Sequence, residues 1–548
     1  MQVIGASGTG KTKFLENLIR QDILEGNGLC LIDPTGNLYQ DLVRWCETKG
    51  FLGRKKIALF EPGSHEWTFG FNPLNFENGP EEDVSFYVDS MVKACAQVWG
   101  GEDTDRTPLL KRCLRATFHV LAEKRLTLLE ASYLVNPHDP GGIRKYLTRE
   151  IEDFIMRDQW NTFNPMKPRE FLEYFGSSSN RLLEFLASER IRRILGQEER
   201  IIRFREVMDE GQVLLVNLSS GRRISEANAS LLGALMVNDL FLKARGRPKG
   251  SRPFYLYIDE CARFISEDIG RILDEGRQFG LHLILAHQHL SQLKKAGEAV
   301  YGAVMTDART KVVFGGLSPE EAEIMGEVLY MGELDFEEAK TSLNKPVTVG
   351  YSKEWMRSEA ETSGESWGTS ESFTRNSGTS TSRSKTYTVG VLFDEEVSRT
   401  KGITTDKSEG WSSGTSESTS RSRTNGQSET MVPILDEMPT AVFSLEEQRH
   451  RKAADLRNLR SQQAVIRMPE RGSIAFRSAR VEEGYANPDR VERFKKQTFL
   501  RATFTRPTAA VDIVLRARRK HLEAAARRYQ EGDDTPREEP KEPEDFLE

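Results

Sequence analysis

Short apolar runs alternate with amphipathic stretches from the first residue onward. "MQVIGA", "GLCLIDP" and "KKIALFEP" are brief apolar segments, whereas "KTKFLENLIRQDILEG" and "GNLYQDLVRWCETKG" repeat their apolar residues every three or four positions. A strand buried on both faces reads as a continuous apolar run, and a helix covering it shows one apolar stripe. Residues 1–76 are therefore expected to begin an α/β fold with a parallel sheet. Over 77–205 the rhythm changes. "EEDVSFYVDSMVKACAQVWG", "LLKRCLRATFHVLAEK", "GGIRKYLTREIEDFIMR" and "NRLLEFLASERIRRILG" all carry the helical period, which predicts an inserted all-α domain. The sheet pattern resumes over 206–345 with strands "QVLLVNLS", "PFYLYIDE", "LHLILAHQ" and "TKVVFGG" and the helices between them.

Past residue 345 the composition shifts. Residues 346–435 are dominated by Ser, Thr, Gly and Glu. A unit recurs there ("SWGTSES" at 366–372, "SSGTSES" at 412–418), around one apolar piece, "KTYTVGVLFDEE". Low hydrophobicity predicts a flexible, partly disordered linker; alternating Ser and Thr with spaced Trp367, Phe373 and Trp411 would alternatively suit an extended hairpin arm. Residues 436–548 hold a helix with N-cap Ser444 and capping-box Glu447, two strand-like pieces, and a basic helix running into an acidic tail.

Composition narrows the function. A net charge of −6 excludes a surface that is basic throughout, so any nucleic-acid contact must be a local patch or lining. Cys30, Cys46, Cys95, Cys113 and Cys261 are scattered without metal-ligand spacing and read as reduced core residues. No stretch reaches the roughly 18 apolar residues of a membrane span and no signal peptide precedes the first strand, so a cytoplasmic location is expected.

The chemistry begins at "GASGTGKT". Gly5, Ala6, Ser7, Gly8, Thr9, Gly10, Lys11 and Thr12 fit the phosphate-binding loop pattern. Its glycines let backbone N–H groups turn around a phosphate chain; Lys11 brings a charge to the β/γ-phosphates and the Thr12 hydroxyl can ligate Mg²⁺. The second half is "FYLYIDE", which sets Asp259 and Glu260 at the carboxyl end of a strand, where α/β sheets bind ligands. Asp259 would hold Mg²⁺ through water and Glu260 would polarise the attacking water of ATP hydrolysis. "LHLILA" should lie beside that strand, bringing Gln288 near the γ-phosphate. Arg277, at a turn, is expected to serve a neighbouring subunit's nucleotide, with Arg309 as a second candidate. Asp33 closes an earlier strand and reads either as another phosphate-side acid or, in preference, as only the start of a turn through Asp-Pro-Thr-Gly.

Together the phosphate loop, "LLVNLSSG", "LLGALMVNDLF", "YIDECARF", "EGRQFGLHLILAHQHLSQL" and "KVVFGGLSPEEAEIM" resemble the HerA–FtsK superfamily of DNA-pumping ATPases, nearest to the TraG/TraD-like coupling proteins of conjugation and type IV secretion. The resemblance covers 1–345. It implies a RecA-like core, a homo-hexameric ring, ATP and Mg²⁺ as cofactors, and partners such as a relaxase or secretion-channel proteins. It gives Lys11, Thr12, Asp259, Glu260, Gln288 and Arg277 the roles above. Coupling proteins usually carry membrane helices ahead of this loop; a front segment removed, or supplied by another gene, would explain the abrupt start and could provide a membrane tether. DNA would be gripped by its backbone at Arg190, Arg192 and Arg193, at Arg222 and Arg223, or at Lys294 and Lys295. The motifs alone leave open a HerA-like motor acting in repair or phage defence with a nuclease, and a nucleotide-regulated scaffold recruiting partners through its arm.

Overall fold

The structure, a computed structural model, describes residues 1–75, 84–99, 107–221, 223–265, 269–330, 344–364, 372–385, 399–412, 420–439 and 444–532. Arg222, most of the 366–372 and 412–418 repeats, the apolar piece after Lys385 and the acidic end after residue 532 lie outside them. The strands are β1 (Gln2–Ile4), β2 (Gly28–Asp33), β3 (Ile57–Phe60), β4 (Trp67–Phe69), β5 (Val213–Asn217), β6 (Phe254–Ile258), β7 (Leu281–His287), β8 (Lys311–Phe314), β9 (Asn344–Gly364), β10 (Ser372–Lys385), β11 (Arg399–Ser412), β12 (Ser420–Pro439), β13 (Gln463–Met468), β14 (Gly472–Arg477) and β15 (Thr505–Pro507).

Among the described residues, nine strands form one sheet in the order β14-β13-β8-β1-β7-β6-β2-β5-β3. From β8 to β3 every neighbouring pair is parallel. Each of these strands is one of the apolar runs in the sequence, and β2, β5 and β8 are buried at every position. The hairpin β13–β14 is added antiparallel along β8, with Ile466 opposite Val312. The order has a consequence for chemistry: β7 separates β1, which leads into the phosphate loop, from β6, which ends at Asp259. Whatever follows β7 therefore falls between the two halves of the site.

Helix α1 (Lys11–Glu25) starts directly after the loop and buries Phe14, Leu15, Ile19 and Ile23. Phe14 meets Phe314 and Phe476, each at 5.7 Å between ring centroids, so α1 is packed against both β8 and the added hairpin. Helix α2 (Asn37–Thr48) follows β2. Between β4 and β5 the described residues are mainly helical, the longer segments being Val84–Trp99, Thr107–Glu123, Phe154–Phe163 and Pro168–Ala187. Phe171 and Phe175 stack there at 4.4 Å, and Trp160 donates to the Ala116 carbonyl. The predicted helix over 141–157 is broken: Glu150 takes a left-handed φ of 50° before Asp153 caps the next helix through the Met156 N–H. The 67–69 strand and its partner β15 carry no sequence signal, being three residues each.

The chain divides into two compact units, Met1–Glu333 with Arg449–Glu548, and Leu334–Gln448. In the second unit β9 pairs antiparallel with β12, from Asn344 opposite Pro439 to Gly364 opposite Ser420, and β10 pairs antiparallel with β11. The Ser444–Glu447 capping box is formed in both directions, at 3.0 and 3.1 Å. Among the described residues no helix is long and apolar enough to cross a membrane. All five cysteines are buried and unpaired, and burial pushes the Cys46 and Cys113 thiols up to about 12.

Candidate nucleotide site

The phosphate loop spans the gap between β1 and α1. The Thr9 hydroxyl donates to the Ala6 carbonyl at 2.8 Å and the Phe14 N–H to the Gly10 carbonyl at 2.9 Å, which closes the loop onto the first helical turn. Gly10 has φ 107°, outside the range of an ordinary side chain. The Ala6 N–H is spent on the Gly315 carbonyl at 3.2 Å, tying the loop to the turn after β8.

Lys11 is the electrostatic centre. It is 5% exposed, its Nζ lies 3.6 Å from Glu260 Oε1, and it makes no hydrogen bond in the structure. A buried ammonium with unused donors is costly unless an acceptor arrives, and a phosphate group supplies one. Across from it, Glu260 takes a left-handed φ of 47°, a strained conformation for a residue with a side chain. That conformation turns its carboxylate toward Lys11 and Gln288. Gln288 Nε2 donates to Glu260 Oε1 at 2.7 Å, and Gln292 Nε2 approaches the other oxygen at 3.5 Å. Gln292 Oε1 in turn accepts from the backbone N–H groups of Gln288 and His289.

Asp259 is buried, one of its carboxylate oxygens accepting the Glu260 N–H at 3.0 Å. Burial raises its carboxyl to about 6, with Glu260 and Asp33 adding to the effect and Lys11 opposing it. A carboxylate so poorly solvated gains by ligating a hard cation. Asp259 and the Thr12 hydroxyl are oxygen donors of the kind Mg²⁺ prefers, and the ion would neutralise charge between phosphate oxygens. Asp33 does something else: it accepts from the Thr35 N–H and hydroxyl at 2.8 Å and from the Tyr39 N–H at 2.9 Å, so it caps α2, as its turn reading anticipated.

Lys11, Asp259, Glu260 and Gln288 are thus brought together. Arg277 and Arg309 are not. Both are exposed at the amino ends of β7 and β8, lining an open groove of about 1130 Å³ with Tyr255, Tyr257 and His282. The seven residues of β7, roughly 20 Å of extended chain, separate Arg277 from Gln288. Gln292 was not anticipated; its signal was the His289-x-x-Gln292 capping box, which the structure forms.

The basic clusters are partly engaged within the fold. Arg192 donates to the Leu186 and Ala187 carbonyls, Arg193 pairs with Asp512 at 2.6 Å, and Arg223 donates to the Gly63 carbonyl. Lys294 stands over the Tyr301 ring at 5.0 Å. Arg190 keeps a buried Nε without a partner, in a cleft with His65 and Trp67.

Residues 253–399 match the family model of the TraM recognition site of TraD and TraG. That stretch starts one residue ahead of β6 and carries Asp259, Glu260, Arg277 and Gln288, so the likeness to TraG/TraD-type coupling ATPases reaches the chemical half of the site. No curated protein sequence matches the chain. Among solved structures it is similar to the bacterial conjugative coupling protein TrwBΔN70, unbound (15% identity over 89% of this chain and 86% of that one, TM-score 0.47). It is similar to plasmid coupling protein TrwB in complex with the ATP analogue ADPNP (15%, 89% and 86%, TM-score 0.49). A further likeness is to VirB4 of Thermoanaerobacter pseudethanolicus (13%, 61% and 81%, TM-score 0.37).

Proposed function

We propose that this chain is an ATP-hydrolysing motor that moves DNA, acting as the coupling ATPase of conjugative or type IV DNA transfer. The observation that carries the enzymatic part is the buried, unbonded Lys11 ammonium beside Glu260, with Glu260 itself held by Gln288. In that arrangement Lys11 binds the β/γ-phosphates and Asp259 and Thr12 take Mg²⁺. Glu260 accepts a proton from the attacking water, and Gln288 reads the γ-phosphate from its place between the two halves of the site.

A scaffold that only binds nucleotide has no use for Glu260 and Gln288, so the geometry favours hydrolysis. The family match over 253–399 supports coupling to a TraM-like partner in DNA transfer. Because Arg277 stands at the other end of β7 from Gln288, the reading completes the site with a second copy's arginine, most simply in a closed ring of six.

ATP turnover by the purified chain, measured with and without DNA, tests the proposal. Hydrolysis should rise with DNA and vanish in Lys11→Ala. Turnover indifferent to DNA removes the motor; turnover surviving in Lys11→Ala removes the site.

A further inference from the structure

The phosphate loop has an outer wall that its motif does not contain. The turn between helix Leu445–Arg457 and β13 lies against it. The Gln462 N–H donates to the Thr9 carbonyl at 2.7 Å and the Ser461 hydroxyl to the Gly8 carbonyl at 3.2 Å. Gln462 is pinned from its other side as well, its carbonyl accepting the Ser478 N–H at 2.7 Å, and it adopts a left-handed φ of 68°. The approach is close: a Cβ on Gly10 would stand 3.1 Å from Gln462 Cα. The "FGG" turn after β8 fills the remaining space. The Gly316 N–H reaches the Arg457 carbonyl at 3.4 Å, and a Cβ on Gly315 would collide with the Leu459 carbonyl at 2.4 Å.

We infer that Ser461 and Gln462 are positioning residues of the nucleotide site, holding the loop so that its N–H groups face the phosphates before nucleotide arrives. The reason is the planarity of the trans peptide, in which C=O and the next N–H point in opposite directions. Fixing the Gly8 carbonyl outward turns the Thr9 N–H inward, and fixing the Thr9 carbonyl outward turns the Gly10 N–H inward. Without those bonds, two glycine-flanked peptides are free to rotate, and nucleotide binding must order them at its own expense. The catalytic core thereby acquires a wall from residues some 450 positions away in the sequence (461 against 8, 462 against 9). Since helix Leu445–Arg457 runs on into this turn, a shift of its Arg457 end would be felt at the phosphate loop.

The inference rests on the nucleotide-site reading, and its experiment separates the two. Equilibrium binding of a fluorescent ATP analogue to the full chain is measured together with kcat and the thermal midpoint of the nucleotide-free protein. Ser461→Ala should weaken binding about three- to tenfold, the worth of one hydrogen bond, with kcat and the nucleotide-free midpoint little changed; Ser461→Thr, which keeps the hydroxyl, should restore it. Gln462→Gly keeps the N–H and tolerates φ 68°, so it should bind like wild type, whereas Gln462→Pro lacks the donor and should bind more than tenfold worse. If Gln462→Pro does not fold, Ser461→Ala and its Thr rescue decide. Wild-type affinity in Ser461→Ala, with Lys11→Ala still impaired, overturns this inference and leaves the nucleotide site standing. Wild-type protein that binds no nucleotide, or binding unaffected in Lys11→Ala, overturns the site reading itself.

Discussion

Gln288 Nε2 donates to Glu260 Oε1 at 2.7 Å, while the same carboxylate oxygen lies 3.6 Å from the Lys11 ammonium. A residue from the end of β7 thus orients the proposed base, and Lys11 makes no bond that a phosphate would have to break. Glu260→Gln should lower kcat about 10²–10⁴-fold with nucleotide affinity largely kept, since the base acts only once water attacks. Gln288→Ala should lower kcat by a smaller factor, about 10². Steady-state kinetics beside direct nucleotide binding checks the split; a Glu260→Gln enzyme with full kcat would end its role as base.

On the proposed reading Asp259 holds Mg²⁺, and that makes the site sensitive to pH on the acid side. Burial raises its carboxyl to about 6, and only the ionised form ligates Mg²⁺. Apparent Mg²⁺ affinity should be flat above pH 7 and fall roughly tenfold per unit well below 6, because the proton then occupies the ligand. Asp259→Asn should bind Mg²⁺ weakly at every pH, with that slope gone. Titration calorimetry of Mg²⁺ into the nucleotide complex at pH 5 to 8 measures it.

The parallel sheet was legible because each of its strands is a compact apolar run between turn residues, and the pairing of "GASGTGKT" with "YIDE" was legible as local chemistry. What was not legible is non-local. Nothing in "AVIRMPERGSIAFRSARV" says that it will extend the sheet beside Val312, because strand pairing depends on which edge is left open, and the sequence carries no mark of that. The left-handed Glu260 was hidden for a related reason: the conformation is imposed by the fold around a residue that would not choose it. Arg192 and Arg193 read as a local basic contact for DNA, yet both are engaged within the fold, with Leu186, Ala187 and Asp512.

Gly10 tests how tightly the loop is enclosed. Its φ of 107° and the 3.1 Å approach of Gln462 Cα both oppose a side chain, and the obstructing atoms are main chain, which no rotamer change clears. Gly10→Ala should cost about 1–3 kcal/mol in denaturant unfolding of the nucleotide-free chain and should also impair nucleotide binding. An alanine variant with unchanged stability would show that the turn at 459–463 yields.

Lys311 carries a pH-dependent strain beneath the loop strand. Its ammonium donates to Gln2 Oε1 and to the Val304 and Ala308 carbonyls, and burial lowers its pKa to about 8. Between pH 8 and the ordinary lysine value of 10.5 the unfolded chain holds a proton that the folded chain has released. Stability should therefore rise with pH across that window, by an amount of the order of 2 kcal/mol. Lys311→Met should abolish the slope. Thermal melts from pH 7.5 to 10 give the answer, and a wild-type midpoint that falls steadily over the window contradicts the assignment.

On the ring reading, Arg277 acts on the nucleotide of the next copy, because β7 keeps it away from the Gln288 end of its own site. Lys11→Ala and Arg277→Ala chains should each be nearly inactive, since one lacks the phosphate ligand and the other the charge that stabilises the transition state, a contribution of about 10³-fold or more. Mixed, they form some interfaces in which an intact Lys11 meets an intact Arg277, so ATP turnover should reappear and peak near equal proportions. A residue that served its own subunit's nucleotide would show no such recovery, because no mixed interface would reunite the two groups in one chain. Failure to recover at any ratio, with mixed assemblies demonstrated by mass, would therefore pass the role to Arg309 or leave Arg277 a surface residue of the groove.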